Sequence, residues 1–134
     1  MPARSRSTRA ATVVLFLALV AAFSAQAPAD RRVVRIKAER FAFTPSEISM
    51  FVGEEIEIRL KSDDTAHGFK LVGQDVDITI PKRGQGETAV PFKPAKAGRY
   101  EFECSHLCGA GHSFMRGVIV VKERKAELTQ ESKK

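Results

Sequence analysis

From Glu55 to Leu60 the chain alternates charge and hydrocarbon at every step: Glu55-Ile56-Glu57-Ile58-Arg59-Leu60. A run of period two buries one face only as an extended strand; wound as a helix it would scatter its apolar residues around the axis. The same period recurs at Ile48, Met50 and Val52 and at Val76, Ile78 and Ile80. Shorter apolar runs begin at Val33, Phe41, His67, Thr88, Arg99 and Met115, and Thr44-Pro45, Gly53, Ser62-Asp63-Asp64, Pro81, the Gly-rich stretch 82–87 and 94–98 punctuate them. Val, Ile and Phe dominate the apolar positions and Trp is absent, which favours strands. Seven or eight strands at regular spacing, with no long amphipathic helix between them, predict an all-β chain, a Greek-key sandwich or barrel. The expected domain covers residues 30–122, and the polar stretch 123–134 reads as a frayed tail or short helix. A domain of about 100 residues buries enough surface to fold without disulfides.

The N-terminus follows a different logic. Residues 1–10 are basic, residues 11–23 are an uncharged apolar run, and 24–29 are mostly small. That order predicts a secretory signal peptide over 1–29, with cleavage after Ala29. The alternative is a signal anchor, since residues 10–29 carry no charge over a length close to a membrane span. Either reading exports the folded domain, to a periplasmic location, and allows membrane contact only if the segment stays uncleaved. Without Arg4, Arg6 and Arg9 the 22 basic residues become 19 against 16 acidic, a balance of +3. So weak an excess, without a basic helix, excludes nucleic acid as a partner.

Chemistry concentrates in Cys104-Ser105-His106-Leu107-Cys108-Gly109-Ala110-Gly111-His112-Ser113-Phe114-Met115, which holds both cysteines and two of the three histidines. Soft thiolate and thioether donors select copper, and imidazole suits it too. A structural zinc site would want four Cys or His ligands and a catalytic one would rarely use Met. One thiolate with two imidazoles and a weak axial Met makes a mononuclear copper site. Here a second thiolate follows four residues later, so the pair can bridge two ions. His112 and the distant His67 can then serve one each. Met115 and the backbone carbonyl of His106 are placed to be weak ligands.

The spacing Cys-x-x-x-Cys-x-x-x-His-x-x-Met with an upstream His resembles the CuA motif of cytochrome c oxidase subunit II and nitrous oxide reductase. The stretch Phe41–Ile48, then Val52-Gly53-Glu54 and His67-Gly68-Phe69, is similar to the cupredoxin domain of that family, over roughly residues 33–122. The resemblance implies a cupredoxin-like fold and a dinuclear CuA centre of two copper ions. It assigns as metal-binding His67, Cys104, Cys108, His112, Met115 and, through its carbonyl oxygen, His106. It implies electron transfer with a redox partner such as cytochrome c or a terminal oxidase or reductase. No catalytic activity is expected of the chain alone, and no residue reads as catalytic. The chain departs from the family where His106 replaces the usual Glu between the cysteines and where no Trp exists for the usual electron-accepting patch. It also has at most one apolar N-terminal segment. A free-standing or anchored exported CuA protein fits these departures.

Competing readings are a Cys104–Cys108 disulfide, a periplasmic copper chaperone or store, and a mononuclear cupredoxin. Phe69, Leu107 and Phe114 are expected to form the dry shell around the metal. Met50 reads as core or surface, and Asp63 and Asp64 read as solvated loop charges.

Overall fold

The computed structural model describes residues 31–125. The expected signal or anchor and most of the polar tail fall outside them. Nine strands form, against the seven or eight expected: β1 (Arg32–Glu39), β2 (Ala42–Thr44), β3 (Glu47–Phe51), β4 (Ile56–Ser62), β5 (His67–Leu71), β6 (Asp77–Ile80), β7 (Thr88–Phe92), β8 (Gly98–Glu103) and β9 (Arg116–Lys122). The shortest, β2, comes from the run at Phe41 and folds back antiparallel on β1 with Lys37 opposite Thr44. One 3-10 turn, His112–Phe114, is the only helical element among the described residues, and no helix there is long and apolar enough to cross a membrane.

Two sheets pack face to face. One has the order β2-β1-β4-β7 and the other β3-β9-β8-β5-β6. The chain changes sheets five times, between β2 and β3, β3 and β4, β4 and β5, β6 and β7, and β7 and β8, and the pairs β1/β4 and β3/β9 are parallel. The alternation in the sequence maps directly onto the sandwich: Ile56, Ile58 and Leu60 are fully buried while Glu57 and Arg59 face outward. Met50 lies in this core, at 2% exposure. Pro91 sits in β7, an edge strand, where its missing N–H costs no ladder bond.

Three phenylalanines from three strands meet near one end of the sandwich. Phe69 (β5) and Phe102 (β8) have ring centroids 5.1 Å apart, and Phe43 (β2) stands edge-on to both, at 6.0 and 5.2 Å. Edge-to-face packing of this kind adds to plain burial. Phe69 follows His67 by two residues and Phe102 precedes Cys104 by two. The strands that deliver the candidate donors are therefore fixed by their own side chains.

Candidate metal centre

His67 opens β5 and is completely buried. Cys104 follows β8 and Met115 precedes β9; the Cys104 N–H donates to the Met115 carbonyl at 3.0 Å, closing the neck of the loop between them. Inside that loop Cys108 and His112 turn inward. Cys104 Sγ and Cys108 Sγ lie 3.8 Å apart as free thiols, so the disulfide reading does not hold for this structure. His67 Nδ1 is 4.0 Å from Cys104 Sγ, His112 Nδ1 is 3.8 Å from Cys108 Sγ, and Met115 Sδ is 4.0 Å from Cys108 Sγ. The His106 carbonyl oxygen lies 3.1 Å from Cys104 Sγ, while the His106 side chain is exposed. All six residues expected from the sequence are thus brought together.

These spacings suit a metal better than hydrogen bonding. The sulfur–sulfur separation is within twice an ordinary metal–thiolate bond of about 2.3 Å, and the sulfur–nitrogen separations are within that bond plus a metal–imidazole bond of about 2.0 Å. His67, Cys104 and Cys108 offer donor atoms all within 4.8 Å of one another, and all three are buried. Two thiols, two imidazoles and a thioether are a soft donor set that fits copper.

Asp64, read from the sequence as a solvated charge, belongs to this site. Its Oδ1 lies 2.6 Å from His67 Nε2. A carboxylate can only accept, so Nε2 carries the proton and Nδ1 keeps its lone pair toward the sulfurs. Oδ2 accepts the Arg40 N–H at 2.8 Å, and Oδ1 also accepts the Thr65 N–H at 2.7 Å. The buried Ser62 hydroxyl holds the turn by donating to the Thr65 carbonyl at 2.5 Å and accepting the Asp64 N–H at 3.1 Å. Partial burial pushes the Asp64 carboxyl up, but the hydrogen bonds from His67, Arg40 and Thr65 outweigh it and hold the pKa at about 2. Asp63, by contrast, pairs with Lys37 at the surface.

For the Cys108 thiol, burial raises the pKa above the ordinary thiol value, and the neighbouring Cys104 raises it further. Without metal the thiol holds its proton at neutral pH, so loading displaces it. The sequence reading of the apolar shell needs correction. Phe69 is buried at 0% exposure, but Leu107 and Phe114 are 78% and 82% exposed. The donors at 104, 108 and 115 take the inward positions of the loop, and the dry wall comes instead from Phe43, Phe69 and Phe102.

A family profile described as "Cupredoxin-like domain" matches residues 11–121. The chain belongs to this cupredoxin-like family. Two cytochrome c oxidase subunit 2 sequences of Thermus thermophilus are 32% identical to this cupredoxin over 94 residues, covering 70% of it and 68% and 55% of their own lengths. Nitrous-oxide reductase of Cupriavidus necator is 29% identical over 93 residues, covering 66% of this chain and 14% of that one. The periplasmic domain of subunit II of cytochrome oxidase from Bradyrhizobium japonicum superposes with a TM-score of 0.64 at 22% identity, over 73% of this chain and 88% of that one. This cupredoxin therefore spans only part of the length of the curated relatives it matches.

Two contributors besides Asp64 escape a sequence reading. Gly68 lies so close to the loop that its N–H points at Cys104 Sγ, 3.4 Å away. Arg40 donates from Nε to the Cys108 carbonyl at 2.7 Å. For Asp64 the available signal was its place three residues before a strand-opening histidine.

Asp64→Asn is expected to lower copper affinity about tenfold, because a carboxylate behind a metal-binding imidazole raises its basicity. In the metal-free domain the depressed carboxyl contributes stability that is present above its ordinary value of 3.8 and is lost as pH falls toward 2. Melting curves from pH 5 to pH 2 should therefore converge for the two proteins at the acid end. Parallel curves would deny Asp64 this role.

Proposed function

We propose that this chain is an exported copper electron-transfer protein in which Cys104 and Cys108 together hold two copper ions. The observation that carries the reading is the pairing of donors: two thiols 3.8 Å apart, each with its own imidazole Nδ1 at 3.8 to 4.0 Å. A single-ion site needs one thiolate and leaves the other without a task; a shared pair uses both. His67 and His112 would each serve one ion, with Met115 Sδ and the His106 carbonyl as weak outer donors. Copper supplies a one-electron couple when bound. The chain supplies rigidity: His67 is locked by Asp64, the loop neck by the Cys104–Met115 bond, and the apolar wall by three interlocked rings. Rigid, dry donors keep the reorganisation that accompanies each electron small.

Relatives that are oxidase subunits support a partner such as cytochrome c or a terminal oxidase or reductase, and the segment 1–29 supports export. A copper chaperone would want exposed, exchangeable donors, whereas His67 is fully buried. The test is the EPR spectrum and copper content of the metal-loaded chain. Two coppers per chain and a seven-line pattern, from one unpaired electron shared equally by two nuclei, are expected. A four-line pattern with one copper would replace this reading with a mononuclear site.

A further inference from the structure

The donors reside on two segments far apart in sequence, and one two-residue turn touches both. Arg40 and Phe41 connect β1 to β2. On one side the Arg40 N–H binds Asp64 Oδ2, whose partner oxygen meets His67 Nε2. On the other side Arg40 Nε donates to the Cys108 carbonyl at 2.7 Å. The Phe41 ring fills the space beside two loop glycines: a Cβ on Gly111 would fall 2.4 Å from its Cδ2, and one on Gly109 would fall 3.0 Å from its Cε1. Among the described residues the other backbone hydrogen bonds of 108–114 are local: His112 N–H to Gly109 O, Phe114 N–H to Gly111 O and Met115 N–H to His112 O. The loop tip has no strand partner, so its distance from β5 must be set from outside.

We infer that the Arg40–Phe41 turn is a brace that sets the spacing between His67 and Cys108, with Arg40 as its positioning residue. Three contacts converge on the turn and each reaches a donor-bearing segment: the carboxylate relay to His67, the guanidinium on the Cys108 carbonyl, and the ring under Gly109 and Gly111. The Nε bond is the one a substitution can isolate. Glutamine carries an N–H the same number of bonds from Cα and can keep the bond to Cys108 without the charge. Methionine has the same reach and no donor.

The copper arm of the test rests on the proposed function; the second arm does not. Arg40→Met is expected to release copper to a chelator about tenfold faster than wild type and to alter the copper hyperfine pattern. Arg40→Gln should keep both at wild-type values while its midpoint potential falls, since removing a nearby positive charge favours the oxidised centre. In the metal-free protein, hydrogen exchange at the hydrogen-bonded amides of His112 and Phe114 should accelerate in Arg40→Met and not in Arg40→Gln. Phe41→Ala, which leaves Arg40 in place, should accelerate the same amides. Equal impairment of the Met and Gln variants would assign Arg40 a purely electrostatic role and overturn the brace. Wild-type exchange in both Arg40→Met and Phe41→Ala would overturn it as well. If the wild-type chain bound no copper, the proposed function would fall while the exchange arm still decided the brace.

Discussion

Gly68→Ala is expected to empty the metal centre while leaving the sandwich folded. A Cβ at position 68 would lie 2.1 Å from Ser105 Oγ, 2.6 Å from the His106 nitrogen and 2.7 Å from the Ser105 nitrogen. The first atom can rotate away, but the other two are backbone of the loop that carries both sulfurs. Relief therefore requires β5 and the loop to separate. That movement also lengthens the approach of the Gly68 N–H to Cys104 Sγ and of His67 Nδ1 to the same sulfur. Overpacking of this kind costs about 1–3 kcal/mol, which lowers the melting temperature of a domain this size by roughly 4–8 °C per kcal/mol. The strands survive because the core of β1, β4, β8 and β9 is untouched. Metal binding does not, because donors displaced by about 1 Å no longer share an ion. On the proposed two-copper reading, copper content should fall to less than one per chain, with loss of the mixed-valence absorption. Full two-copper loading of a folded Gly68→Ala protein would show that the contact between β5 and the loop does not set the site.

The residues that could be read from sequence are those whose chemistry or period is unusual in itself. Ile56, Ile58 and Leu60 announce a strand because nothing but an extended chain buries them together. Cys104, Cys108, His112 and Met115 announce a soft-metal loop because such side chains are rare and here fall within twelve residues. His67 is weaker, a lone histidine at the head of a strand that gains meaning only beside that loop. What stayed hidden depends on distance in the chain. Asp64 and Arg40 are charged residues in turns, and any such residue reads as solvated until its partner arrives from another element. Here the partners are His67 for one and the Cys108 carbonyl, 68 positions away, for the other. Leu107 and Phe114 misled for the opposite reason. Their hydrocarbon pointed to burial, but in an irregular loop there is no period to say which side chains turn inward, and the donors had taken the inward places.

Cys104→Ser and Cys108→Ser are each expected to abolish the shared-electron signature, and the equality of the two effects is what discriminates between models. The geometry around the sulfurs is uneven. Cys108 Sγ is near His112 Nδ1 and Met115 Sδ, and Cys104 Sγ is near His67 Nδ1 and the His106 carbonyl. A single ion could be held by Cys108, His112, Met115 and His67 alone, in the manner of a one-thiolate copper site. On that arrangement Cys104 would be a bystander, and its replacement by Ser would leave colour and stoichiometry nearly unchanged, while Cys108→Ser would remove both. Two ions that share both sulfurs respond differently. Removing either bridge would leave each ion one thiolate short and open the closed pair of sulfurs over which the unpaired electron is shared. Both variants should then bind at most one copper and give a four-line spectrum. Serine is close to cysteine in size, and each cysteine is only 5% exposed, so the cavity left behind is small and melting temperatures of the metal-free variants should stay near wild type. A Cys104→Ser protein that kept the wild-type spectrum would reduce the centre to a single ion and leave Cys104 as packing.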